Sequence, residues 1–203
     1  KTVIITGDNK LTAKAIAQEL DINVDDESIL EGSQLAKMDD QQLLEKVRSI
    51  KIYARVTPED KLRIVNAWQA SGEVVAMTGD GINDAPALKK ADIGIALGSG
   101  TDVAKGAASL ILLDNNFQVI NNAIEQGRVI YDNIKKVILY LLSDSFSEIV
   151  IIFGSLFMGL PIPLVPAQIL WINLVTDGFP DMALTIEPGE KEVMKEMPQE
   201  RNK

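Results

Sequence analysis

The sequence predicts an α/β domain built on a parallel sheet, followed by an α-helical hairpin long enough to cross a bilayer. Three observations carry this reading. Short apolar runs alternate with amphipathic helical stretches over residues 1–116, the pattern of βα units with helices on both faces of a parallel sheet. No Lys or Arg occurs between Val137 and Leu184. An uncharged turn, Gly159-Leu160-Pro161-Ile162-Pro163, divides that stretch in two.

The elements follow in order. Val3-Ile4-Ile5 is a short strand, and a helix follows at about Leu11–Leu20, with apolar residues at 13, 16, 17 and 20. Residues 25–38 open on three acids and read as an irregular excursion. Asp39–Val47 is helical and Ile52-Tyr53-Ala54 is a strand. Thr57-Pro58-Glu59-Asp60 predicts a helix start, with Thr57 as N-cap, Pro58 at the first helical position and acids in the first turn. That helix runs to Ala70 and ends at Ser71-Gly72. Val74–Met77 is a strand, Asn83–Lys90 a short helix, and Ile93–Ala96 and Leu110–Leu113 are further strands. From Phe117 a helical pattern without Pro runs to Met158. Its segment 137–160 spans roughly 36 Å at about 1.5 Å per residue, enough for a hydrocarbon core of about 30 Å. A second span covers 164–184. The domains expected are therefore 1–116, a stalk with two spans over 117–186, and a charged loop over 187–203. Arg128, Lys135 and Lys136 before the hairpin, and Lys191, Lys195 and Arg201 after it, put residues 1–136 and 185–203 in the cytosol of a multi-pass membrane protein.

Composition narrows the chemistry. The chain has no Cys and no His, which excludes disulfides, thiol nucleophiles, imidazole acid–base catalysis and thiolate or imidazole metal sites. A net charge of −9, from 20 basic and 29 acidic residues, has the wrong sign for a nucleic-acid partner. The chain opens at Lys1 inside a strand pattern, without an initiator Met or a basic n-region, and reads as a piece of a longer polypeptide.

Three features fall at the expected rims of strands: Thr6-Gly7-Asp8 after the first, Lys61 on the helix after Pro58, and Thr78-Gly79-Asp80-Gly81-Ile82-Asn83-Asp84 after Val74–Met77. Ligands of open parallel sheets bind beyond the carboxyl ends of the strands. Small residues let backbone N–H groups approach a phosphate, crowded carboxylates suit Mg²⁺, and a lysine suits a phosphoryl group. Singly, a Thr-Gly-Asp turn is often only an Asx-capped turn, and a lone lysine is usually a solvated one. The Gly-Asp-Gly-x-Asn-Asp run is far more specific.

The stretch MTGDGINDAPALKKADIGIALGSGTDVAK, with ITGDNKLTAKAIA and ARVTPEDKLRIV before it, resembles the phosphorylation domain of P-type cation-transporting ATPases, members of the haloacid-dehalogenase superfamily. YLLSDSFSEIV and QILWINLVTDGFP resemble the fifth and sixth transmembrane helices of the calcium-pump-like branch. The resemblance covers essentially the whole chain. It implies a partial haloacid-dehalogenase-like Rossmannoid fold. It implies that Thr6, Gly7 and Asp8 form a phosphate-site motif, that Arg55 lies near bound ATP, that Lys61 contacts the aspartyl phosphate and that Asp80 binds Mg²⁺. Asn83 and Asp84 would complete the phosphate and metal shell. The family's nucleophile motif, Asp-Lys-Thr-Gly-Thr, does not occur here, so the chain alone is expected to be inactive and to need the remaining domains of the same polypeptide.

At membrane depth stand Asp144, Glu148 and Asp177, with Asp181 further along the second span. Each charge there costs about 2.5–3.5 kcal/mol or more at a helix centre. Asp144 and Glu148 share a helix face, and so do Asn173, Thr176 and Asp177. Gly178 and Pro180 weaken the second helix and free backbone carbonyls. A broken helix with carboxylates and an amide oxygen is the chemistry of a hard-cation site, whereas Ser143 and Ser147 suit hydrogen-bonded helix packing. The resemblance implies that Ser145, Glu148, Asn173, Thr176 and Asp177 line the sites of the transported cation. Ca²⁺ is the expected ion. Ser145, where calcium pumps carry Asn, and the extra acids Asp144 and Asp181 leave Na⁺ or another cation as alternatives. A non-catalytic membrane fragment and a freestanding membrane-anchored phosphatase are the other classes, and the latter needs an Asp-x-Asp pair after an N-terminal strand, which the sequence lacks.

Overall fold

The computed structural model describes residues 1–114, 116, 118–190 and 192–198. Phe117, expected to open the long helix, and the flanking cations Lys191 and Arg201 lie outside the described residues, as does the end of the expected loop. The chain divides into two compact units, the second of which runs from Gln118 to Met197.

The first unit contains two parallel three-stranded sheets. In one, β1 (Ile4–Ile5), β3 (Ile52–Ala54) and β2 (Ile29–Glu31) lie in the order β1-β3-β2, with Ile5 opposite Tyr53 and Leu30 opposite Tyr53 on the other side. In the other, β4 (Ala76–Gly79), β5 (Ile93–Leu97) and β6 (Leu110–Leu112) lie in sequence order. The parallel α/β architecture is as expected, with the strands divided between two sheets. The outer edges of β1 and β4 pair with no strand of the described residues, and Val3, Ile5, Val75, Met77 and Trp68 line a cavity of about 250 Å³ between them.

Helix α1 (Lys10–Glu19) is capped by Asn9, whose Oδ1 accepts from Thr12 N at 2.9 Å. The expected excursion contains β2 and a one-turn helix α2 (Gly32–Leu35). The acids at 25–27 hide β2 in the sequence, since its pairing is with a strand more than twenty residues on. Helix α3 spans Asp40–Lys46. Helix α4 (Pro58–Ala70) begins as predicted: Thr57 Oγ1 accepts from Asp60 N at 3.2 Å, and Asp60 Oδ2 accepts from Thr57 N at 2.9 Å. Its adjacent residues Ile64 and Val65 enter different cores. Ile64 packs with Leu35, Leu43, Tyr53 and Trp68, and Val65 packs with Met77, Ala87, Leu88 and Ala104. Thus α4 is shared by both sheets. The fourth strand starts two residues later than expected, because Val75 N donates to the Asp92 carboxylate at 2.9 Å instead of entering the ladder. Helices α5 (Ala85–Lys90) and α6 (Asp102–Ala107) complete the unit, and α6 has no counterpart in the sequence-based prediction.

The second unit is led by α7 (Gln118–Phe157), the one helix among the described residues long and apolar enough to cross a membrane. Gly159, at φ +68, ends it. Leu160 N donates to Ser155 O at 2.9 Å and Gly159 N to Leu156 O at 3.1 Å, the Schellman pattern that glycine permits. The second expected span is not one uninterrupted α-helix. It begins at Pro166 and consists of α8 (Pro166–Ile172), a π-helical segment Asn173–Asp177 and α9 (Gly178–Thr185). The following residues, expected as a loop, dock on α7. Asn133, buried, donates to Glu187 O at 2.8 Å, Arg128 donates to Val193 O and Glu196 O at 2.7 and 2.9 Å, and Lys136 pairs with Glu187 at 2.7 Å. The hydrogen bond from Lys136 to Glu187 raises the lysine's pKa.

Candidate functional site

In the first unit the predicted residues collect at the carboxyl ends of β1, β3 and β4. Thr6, Gly7 and Asp8 form the turn leaving β1, where Thr6 Oγ1 accepts from Asp8 N at 3.1 Å. Arg55 leaves β3 in the left-handed region, at φ +52. Its N–H donates to Asp8 O at 2.9 Å and the next residue's N–H to Thr6 O at 3.2 Å. This locks the two strand ends together and leaves the Arg55 side chain exposed. A non-glycine residue in that region is uncommon, and its cost is borne where the surroundings fix it. Gly32 makes room for the bend, since a Cβ there would lie 2.2 Å from Arg55 O.

The second cluster is built around Asp84. Its Oδ1 takes a hydrogen bond from Lys61 Nζ at 2.5 Å, and the two side chains are only 10% and 15% exposed. Its Oδ2 accepts from Gly81 N at 3.1 Å and Asp80 N at 3.3 Å. Gly79 is required beside it, because a Cβ there would lie 2.5 Å from Asp84 Cβ. The turn after β5 closes over the same loop, with Thr101 N donating to Asp80 O at 2.8 Å. Asp80 and Asn83 point outward and are exposed.

This arrangement corrects the expected crowding of carboxylates. Among the described residues no group of three acids is close enough to hold a metal ion. The reason is that Asp84 is turned inward, onto Lys61 and the loop backbone. A divalent ion with one exposed carboxylate, Asp80, is still the donor set that suits Mg²⁺, which takes one or two carboxylates and completes its shell with water and phosphate oxygens.

In the second unit Glu148 lies on α7, and Asn173, Thr176 and Asp177 lie in the π segment. One carboxylate oxygen each of Glu148, Asp177 and Asp181 is buried without a hydrogen-bond partner among the described residues. Buried anionic oxygens without donors are strongly unfavourable unless a cation or proton meets them. Thr176 Oγ1 donates to Ile172 O at 2.6 Å, which leaves its lone pairs as acceptors. Ser145 and Asn173 are exposed. Ser147 Oγ donates to Ser143 O of its own helix at 2.8 Å, so it bonds back onto α7 rather than across to a neighbour.

One residue was not singled out from the sequence, and another was read there only as part of a motif. Tyr140 donates to Thr176 O at 2.7 Å, and its signal is Pro180, which stands four residues after Thr176. Gly79 is signalled only by its place before Asp80, and its need appears once Asp84 folds back.

The chain is similar to known proteins. Residues 1–92 match the family model for haloacid dehalogenase-like hydrolases, and residues 161–203 match that for the C-terminus of cation transporting ATPases. A calcium-transporting ATPase of Bacillus subtilis (strain 168) is 52% identical over 199 residues, covering 98% of the chain and 22% of that protein. A calcium-transporting ATPase of Lactococcus lactis is 50% identical over 202 residues, covering 100% and 23%. An endoplasmic reticulum calcium ATPase of Aspergillus fumigatus is 44% identical over 206 residues, covering 100% and 21%. A solved zinc-transporting PIB-type ATPase in its E2.Pi state aligns with a TM-score of 0.62 at 32% identity, covering 91% of the chain and 24% of that structure. The chain spans about a fifth of the length of the curated relatives it matches.

Proposed function

The chain belongs to the cation-transporting P-type ATPases, and on that premise we propose that it supplies part of the phosphorylation site and part of the ion path of an ATP-driven pump, with Ca²⁺ as the transported ion. The observation that carries the reading is the pair of carboxylate oxygens, unpartnered among the described residues, on Glu148 of α7 and on Asp177 of the π-helical segment in the same unit. Two carboxylates with neutral oxygens from Ser145, Asn173 and Thr176 suit a cation that takes 6–8 oxygens. The names of the relatives favour Ca²⁺ over Na⁺. The domain reading is 1–116 for the phosphorylation part, 117–186 for stalk and spans, and 187–203 for a cytosolic loop. Both outer ends of the hairpin lie in the cytosol.

In this reading an aspartate of the parent polypeptide attacks the γ-phosphorus of ATP, the bond to the bridging oxygen breaks, and ADP leaves. The groove between β1 and β4 is lined by Val3, Ile5, Val75 and Met77 beside polar groups and has two open strand edges among the described residues, and accommodates the strand that presents this aspartate. Lys61, held by Asp84, offers its ammonium to the phosphoryl oxygens. Thr6, Gly7 and Asp8 line the phosphate side, Arg55 faces the nucleotide, and Asn83 stands exposed beside them. Asp84 holds the loop and Lys61 in place. Mg²⁺ held by Asp80 would neutralise charge on the transferring group.

The test is phosphorylation of the intact pump. Glu148→Gln and Asp177→Asn should each abolish Ca²⁺-stimulated phosphorylation by ATP. Both should spare phosphorylation by inorganic phosphate, whose chemistry sits in the other unit. Wild-type Ca²⁺ affinity in both variants would remove the site.

A further inference from the structure

Pro180 stands in the first turn of α9, shortly after the π segment. In a helix the carbonyl of residue 176 is the acceptor for the N–H of residue 180. Proline has no N–H, and its ring presses on that same carbonyl. The Thr176 carbonyl is thus deprived of its backbone donor and turned outward. Within a bilayer no water is available to take the donor's place.

The Tyr140 hydroxyl, reaching across from α7, donates to the Thr176 carbonyl at 2.7 Å in a half-buried position. At the start of the same segment the Thr176 hydroxyl donates to the Ile172 carbonyl at 2.6 Å. Side-chain hydroxyls therefore serve the backbone at both ends of the break.

We infer that Tyr140 is a positioning residue whose hydroxyl replaces the backbone donor Pro180 lacks, and so fixes the π segment Asn173–Asp177, with Asp177, relative to Glu148 on α7. The inference rests on the reading of Glu148 and Asp177 as the cation site. Tyr140 itself contributes no ligand in this role.

A double-mutant cycle in the intact pump tests it, with Ca²⁺ as the probe. Tyr140→Phe removes only the hydroxyl and leaves the carbonyl unpaired. It should weaken Ca²⁺ activation of phosphorylation by ATP about tenfold, while phosphorylation by inorganic phosphate stays at the wild-type level. Pro180→Ala restores an N–H that the Thr176 carbonyl can accept. In that background Y140F should shift Ca²⁺ affinity by less than about twofold. No loss in Y140F, or an equal loss in both backgrounds, overturns the inference. A parallel fall in phosphorylation by inorganic phosphate also overturns it, because the hydroxyl would then serve folding in general. The site reading is separately exposed: if E148Q and D177N keep wild-type affinity, that reading fails and takes this one with it. If they lose affinity and Y140F does not, only the role of Tyr140 falls.

Discussion

Replacing Asp84 by Ala removes three interactions at once: the 2.5 Å pair with Lys61 and the acceptor for the N–H groups of Gly81 and Asp80. Both charged side chains are well enclosed, at 10% and 15% exposure. Deleting one partner of such a pair leaves a poorly solvated ammonium and costs roughly 3–5 kcal/mol. The freed N–H groups can find water at the loop surface and add about 1 kcal/mol at most. At about 4 °C per kcal/mol for a unit between the 60–100 and 150–250 residue classes, the melting midpoint of the first unit should fall by roughly 12–24 °C. Asp84→Asn retains an oxygen acceptor for the loop and should lose somewhat less. The assay is scanning fluorimetry of the intact protein, with phosphoenzyme level measured alongside. In a cycle with Lys61→Met, the double variant K61M/D84N should recover about 1.5–3 kcal/mol relative to the sum of the singles. A D84A midpoint within about 2 °C of wild type, or strictly additive singles, would refute the argument that this pair organises the loop.

Two further outcomes follow from the first unit. Tyr53 is fully buried, its hydroxyl has no partner among the described residues, and burial raises its pKa above the ordinary value near 10. The folded state therefore resists ionisation that the unfolded chain accepts. The stability it contributes is complete below about pH 10 and is lost as pH rises beyond it. Tyr53→Phe should be within about 1 kcal/mol of wild type at pH 7 and gain on it progressively above pH 10, as read from urea midpoints. No change in that difference with pH would argue against burial of the hydroxyl. Gly94→Ala would set a Cβ 2.3 Å from the Leu88 carbonyl oxygen, a backbone clash that no rotamer relieves. It should cost about 1–3 kcal/mol or more, and an unchanged thermal midpoint would show that α5 can withdraw.

What could be read from the sequence alone is what is local. The start of α4 is written in Thr57-Pro58-Glu59-Asp60, because a cap needs only residues three apart. The long α7 follows from an apolar stretch without proline, and its end from the turn at Gly159. The loops after β1 and β4 carry their chemistry in consecutive residues, so the Thr-Gly-Asp motifs were visible as strand-end sites.

Tertiary structure decided whatever depends on a distant partner. Strand β2 exists because Ile29–Glu31 finds β3, not because its own residues demand extension. The strands fall into two sheets because, among the described residues, no strand pairs with both β1 and β4. Asp84, which by composition could serve a metal as well as an ion pair, is committed by the approach of Lys61 from α4 and of two N–H groups from its own loop. Pro180 announces a missing hydrogen bond in the sequence, but only the arrival of α7 determines that Tyr140 supplies it. A sequence states the local needs of its backbone and side chains, and the fold alone selects which remote group meets each need.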